Sequence, residues 1–120
     1  MTANGVEHVV LLRFKGDTTK EDVDNFVSAS KSLLNIPGVL SITVGSSFVS
    51  SSWMEDRRRG YTHALRIRLR SKEDLRVYDQ HPIHLDVKKN ALLPLLDLSN
   101  SNTSPPVLAI DWESEVITKE

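Results

Sequence analysis

Apolar and polar positions along this chain change period several times, and each change marks an element. Over residues 8–14, His8, Val10, Leu12 and Phe14 alternate with Val9, Leu11 and Arg13, the period-two pattern of a strand with two distinct faces. Thr18-Thr19-Lys20-Glu21 has the spacing of a capping box. Val23, Phe26, Val27, Ser30, Leu33 and Leu34 then recur at helical spacing until Pro37-Gly38 stops the helix. A second strand is expected over about 40–44. The serine-rich stretch 46–60 has too little periodicity to be anything but a long connection, and Trp53 within it could close over a ligand. In a third strand, 61–69, His63, Leu65, Ile67 and Leu69 share a face opposite Thr62, Ala64, Arg66 and Arg68. Ser71 is placed to cap a short helix through Tyr78. Pro82 suits the first turn of another that runs to about Leu96 with an irregularity at Pro94. After a polar loop, 99–106, a last strand over 107–113 sets Val107, Ala109 and Asp111 against Leu108, Ile110 and Trp112.

The order β-α-β-β-α-β predicts an α+β, ferredoxin-like fold in which helices cover one side of an antiparallel sheet. Val9, Leu11, Leu108, Ile110 and Trp112 fall on the uncovered side, an apolar patch that a monomer rarely leaves wet, so a homodimer with two sheets face to face is expected. One domain over 1–120, with its core over about 7–113, suits a chain long enough to bury about two-thirds of its unfolded surface.

Composition narrows the function classes. With 39% hydrophobic and 26% charged residues and a formal net charge of -1, the chain has no bulk attraction for nucleic acid or anionic lipid. Arg57-Arg58-Arg59 is the one basic run and sits beside Glu55 and Asp56, as expected of a solvated loop. The lack of cysteine removes disulfides and thiol chemistry. No apolar run approaches the roughly 18 residues of a membrane span, and no signal pattern opens the chain, so a cytoplasmic location is the expectation.

The candidate chemistry lies in the four histidines, His8, His63, His81 and His84, together with Tyr78 and Asp111. Histidine titrates nearest working pH, so several of them converging with a phenol would form an acid/base pocket. Alternation puts His8, His63 and Asp111 on the helix-covered side with Val10, Leu12, Leu65, Val107 and Ala109, while Phe26, Val27 and Ser30 face them from the first helix. Polar groups in such an apolar layer must be paired or solvated. If the space is filled they are a buried hydrogen-bond network, and if it is hollow they are the convergent groups of a small-molecule pocket. His84 and Asp111 suggest a base oriented by a carboxylate, and Tyr78 a donor to a developing oxyanion. His81 and His84 form H-x-x-H, but a zinc site needs a third ligand. His81 before Pro82 reads better as a capping or packing residue, so no metal is expected.

EHVVLLRFK, the helix ending in NIPGV, GYTHALRIRLRSKEDL, YDQHPIH and VLAIDW together resemble the stress-responsive A/B barrel (Dabb) family. The resemblance implies a dimeric α/β barrel. At the polar positions it is similar to a polyketide cyclase of that family. This implies that His84 is the catalytic base, Tyr78 holds the carbonyl oxygen, Asp111 supports His84, and His8 and His63 lie in the cavity. The activity so implied is a cofactor-free intramolecular aldol closure or related isomerisation of a hydrophobic, oxygen-bearing small molecule. Val10, Leu12, Phe26, Val27, Ser30, Leu65, Val107 and Ala109 would surround the substrate. Ser30 stands where the cyclase carries a bulky aromatic, and LDVKKN after His84 replaces a glycine- and aromatic-rich stretch, so the substrate does not carry over. Two other readings stay open: a non-enzymatic stress, stability or defence protein with a filled interior, and a cofactor-independent monooxygenase.

Overall fold

A computed structural model describes residues 4–50, 52–99 and 104–119 of the chain. The elements run β1 (Gly5–Leu12), α1 (Lys20–Lys31), β2 (Val39–Ser46), β3 (His63–Leu69), α2 (Lys72–Gln80), α3 (Pro82–Val87) and β4 (Val107–Ser114). The strands form one antiparallel sheet in the order β2-β3-β1-β4, the α+β ferredoxin-like arrangement. Residues 100–103 of the expected 99–106 loop, and Ser51 of the 46–60 connection, lie outside the described residues.

Local boundaries depart from the sequence reading in physically legible ways. The capping box is Thr19 with Asp22, one residue later than expected: the Thr19 hydroxyl accepts from the Asp22 N–H at 3.0 Å, and Asp22 accepts from the Thr19 N–H at 3.0 Å. Thr18 instead donates to the Lys15 carbonyl. Two overlapping Thr-x-x-acid pairs satisfy the same spacing, and the shorter aspartate reaches its own cap. Leu34 lies half exposed because the chain tightens into a 3₁₀ turn at Ser32–Asn35, which rotates it off the apolar stripe. Gly38, with φ of 89°, turns the chain toward β2 against the Asp74 side chain, which a β-carbon would strike.

After Pro82 the regular helix lasts only to Val87. It passes into a π-helical stretch, Lys88–Leu92, and then a 3₁₀ turn, Leu93–Leu95. The disturbance expected at Pro94 therefore starts six residues upstream. Proline has no N–H to donate and its ring crowds the carbonyl four residues before it, which belongs to Asn90 inside the π segment. β1 starts earlier than expected, and Phe14 is left in an isolated bridge to Leu96.

The core lies between the sheet and the helices. Val6, Val10, Leu12, Leu65, Ile67 and Leu69 from the strands meet Phe26, Leu33, Tyr78 and Val87. The other side of the sheet bears Leu108, Ile110 and Trp112, all exposed, as the alternation predicts. Its centre is not purely apolar, however. Glu7 is buried there, accepting from Arg66 at 2.7 Å and Arg68 at 2.6 Å. Burial works against ionisation of Glu7, but the hydrogen bonds and charges of Arg66, Ser114 and Arg68 outweigh it and hold its carboxyl below the usual carboxylate range.

Candidate functional site

A cavity of about 270 Å³ opens between the sheet and the helices. Strands supply His8, Val10, Leu12, Leu65, Val107 and Ala109, α1 supplies Phe26, and α2 and α3 supply Tyr78 and His84. Their convergence follows from local structure. Ser71 caps α2 by accepting from the Asp74 N–H, which places Tyr78 in the last turn, where it packs onto the sheet and is 2% exposed. His81 then separates two helices. Its Nδ1 accepts from the Ile83 N–H at 3.1 Å, so it is the N-cap of α3, and Pro82 occupies the first turn. The reversal brings His84 back beside Tyr78, with ring centroids 4.5 Å apart.

His84 is held in a defined state. Its Nδ1 lies 3.0 Å from the Asp79 carbonyl, which can only accept, so Nδ1 carries the hydrogen and a neutral ring keeps its lone pair on Nε2. Burial pulls its pKa below the ordinary imidazole value, and the neighbouring Lys88 charge works in the same direction, outweighing Asp79. His84 is therefore a neutral acceptor at pH 7, as a general base must be. Burial, with the nearby Asp79 charge, pushes the Tyr78 phenol up, so it stays a hydrogen-bond donor. Among the described residues no hydrogen bond reaches its hydroxyl, though the ring is buried at the cavity wall. That donor is available to a ligand.

The carboxylate expected behind His84 is elsewhere. Asp111 lies directly across the β1–β4 ladder from His8 and accepts a hydrogen bond from His8 Nδ1, so it orients His8 and not His84. His8 in turn meets Tyr78 edge-on, centroids 5.6 Å apart. The rings of His8, Tyr78 and His84 thus form a continuous row, which the Asp111 carboxylate joins at His8 from outside the cavity wall.

Three expected lining residues are not in the cavity. His63 shares the helix-covered face but pairs with Leu12, four positions along β1 from His8, or about 13 Å. There it stacks on Phe14 with centroids 4.3 Å apart and its Nδ1 lies 2.8 Å from the Thr62 hydroxyl, while burial lowers its pKa. Ser30 is buried and donates to the Phe26 carbonyl at 2.8 Å, a helix-internal bond that turns it away from a ligand. Val27 lies beside the Phe26 stripe, outside the lining. In their place the cavity takes Leu33, Asp79, Val87, Lys88, Leu92 and Leu93. Most belong to the π-helical stretch and its neighbours, where a 3.6-residue period misplaces faces.

Comparison with known proteins places this chain in a family. A sequence model of the Stress responsive A/B Barrel Domain matches residues 6–114. The chain belongs to that family. A stress-response A/B barrel domain-containing protein of Arabidopsis thaliana is 30% identical over 112 residues, 93% of this chain and 38% of the relative, so the chain spans well under half of that protein. Olivetolic acid cyclase of Cannabis sativa is 27% identical over 81 residues, covering 67% of this chain and 76% of the cyclase. Among solved structures, Arabidopsis thaliana At3g17210 superposes with a TM-score of 0.75 at 26% identity, covering 95% of this chain and 99% of that one. Among the described residues of this A/B barrel chain, no helix is long and apolar enough to cross a membrane.

Proposed function

We propose that this A/B barrel protein is a homodimer whose cavity binds a hydrophobic, oxygen-bearing small molecule and enolises it by acid/base chemistry, as a cofactor-free cyclase or isomerase. The observation that carries the reading is the pairing of a neutral His84, its Nε2 lone pair free, with an unsatisfied Tyr78 hydroxyl on the wall of one apolar cavity. Nε2 of His84 takes a proton from the carbon beside a carbonyl. The electron pair moves to the oxygen, which Tyr78 stabilises by donating to it. In an aldol closure the enolate carbon then adds to a second carbonyl of the same molecule, and the proton returns from His84 to the new alkoxide, so the net change is an isomerisation. Asp111 contributes through His8, which faces the same phenol. Olivetolic acid cyclase, a relative named as a cyclase, supports this choice of chemistry.

A cavity near 270 Å³ lies at the lower end of small-molecule pockets, so the ligand is small. Its hollow interior favours this reading over a filled, purely structural one. The uncovered sheet face, with Ile110 64% exposed and Trp112 47%, supports the homodimer.

The test is α-deuterium incorporation into an alkyl methyl ketone such as 2-nonanone, followed by NMR in heavy water. Wild-type protein should accelerate exchange, and His84→Ala, folded by circular dichroism, should lower the rate by about 10²–10⁴-fold. Equal rates for wild type and a folded His84→Ala would sink the acid/base assignment.

A further inference from the structure

The cavity wall is apolar except at two places. His8, Tyr78, Asp79 and His84 gather where α2 turns into α3, and Lys88 joins the lining from the far end of α3. The Lys88 N–H bonds back to the His84 carbonyl, so the two residues are helical neighbours on one face. Four residues of helical rise put Lys88 about 6 Å beyond His84 along the axis, and helix side chains lean toward the N-terminus, which tips the lysine back toward the cavity. Its charge is close enough to His84 to help lower the imidazole pKa.

Among the described residues, no hydrogen bond or ion pair engages the Lys88 ammonium. The local sequence explains why. Its helical neighbours three and four positions away, His84, Leu85, Ala91 and Leu92, include no carboxylate, and Asp86 accepts instead from Asn90 at 2.6 Å. Lys20 and Lys72, by contrast, are closed by Asp24 at 2.8 Å and Glu113 at 3.0 Å. Lys88 is exposed and yet lines the cavity, which puts a solvated cation at the mouth of an apolar chamber. The other charge on the wall, Asp79, also borders an outer hollow with Lys72 and Arg76 on the α2 side. An anion entering the cavity is repelled there and drawn to the Lys88 end.

We propose that Lys88 is the carboxylate-binding residue of this cavity and that the ligand is an oxo acid, its carboxylate held at the mouth by Lys88 and its carbonyl, several carbons along an apolar chain, lying between Tyr78 and His84. The inference rests on the small-molecule reading of the cavity and adds the ligand's charge and orientation. A carboxylate kept at the mouth stays hydrated, and the chain behind it covers Val87, Leu92 and Leu93.

Octanoate and octanol share a chain, differ in charge and are not ketones, so their binding by calorimetry is read independently of catalysis. Lys88→Met should lower the ratio of octanoate to octanol affinity by about two- to fivefold, the size of one solvent-accessible ion pair, and Lys88→Glu by more; high salt should erase the difference. Lys89→Met makes the same charge change outside the lining and should leave the ratio where it is. For deuterium exchange, 8-oxononanoate is 2-nonanone with a carboxylate at its far end, and Lys88→Met should lower its kcat/KM relative to 2-nonanone by the same factor. A ratio unchanged in both Lys88 variants, or shifted equally by Lys89→Met, overturns the proposal. Charge-dependent binding of octanoate with no acceleration of exchange into either ketone keeps the carboxylate site and removes the acid/base reading, whereas wild-type protein that binds neither octanoate nor octanol overturns both.

Discussion

Tyr78→Phe separates the fold from the site more sharply than any other single change. The ring is 2% exposed, so its packing matters, but no described residue hydrogen-bonds its hydroxyl. A hydrogen bond contributes about 0.5–1.5 kcal/mol net, and here none is lost. Phenylalanine keeps the ring, so Tyr78→Phe should leave the Tm where it was, within about 2 °C. Tyr78→Ala, by contrast, should cost about 3–5 kcal/mol, the range for emptying a large aromatic site. At roughly 4 °C per kcal/mol for a domain of this size, that is a fall of more than about 10 °C. Loss of an oxyanion donor costs about 10²–10³ in rate, so exchange into 2-nonanone should fall by that factor in Tyr78→Phe despite its intact stability. Thermal unfolding at fixed protomer concentration and the exchange assay, run on the same samples, give both numbers. If Tyr78→Phe lowers Tm by several degrees, the hydroxyl has an internal partner and the reasoning is wrong. If its exchange rate equals wild type, the phenol takes no part in the chemistry.

The remaining predictions concern pH, Asp111 and the sheet face. His84 and His63 both have pKa values below the ordinary 6.5, so the unfolded chain takes up protons there before the folded chain does. Stability should hold above about pH 6.5 and decline as pH falls through the lowered values, with the rate declining alongside as His84 is protonated; a Tm that rises on acidification from pH 7 to 5 would reverse the sign. Asp111→Ala should change the ¹⁵N imidazole signals of His8 and leave those of His84 in place, because Asp111 pairs with His8 while the Asp79 carbonyl holds His84. Movement of the His84 signals alone would restore the pairing expected from sequence. Trp112→Asp should weaken the dimer by at least tenfold in Kd, about 1.4 kcal/mol, as read by sedimentation, since it puts a charge into the proposed interface.

The periods in the chain carried the element order, the two faces of each strand and the lone covered side of the sheet, because alternation and helical spacing are local properties that survive packing. The same local logic placed Tyr78 and His84 together, since they share one short helix–helix reversal marked by His81-Pro82. The family resemblance, carried by motifs across most of the chain, pointed to the same pair. Strand register was out of reach. His8 and His63 do share a face, but the antiparallel pairing of β1 with β3 puts them about four residues apart along the sheet, at separate ends of the covered layer. Register also set Asp111 against His8, a pairing between residues 103 apart in the chain. The lining taken from Lys88, Leu92 and Leu93 depends on a π-helical stretch whose spacing is not the 3.6 residues that sequence patterns assume. Which side chains point the same way is written residue by residue in the chain. Which of them touch depends on how far one strand slides along another, and that is settled only when the whole core packs.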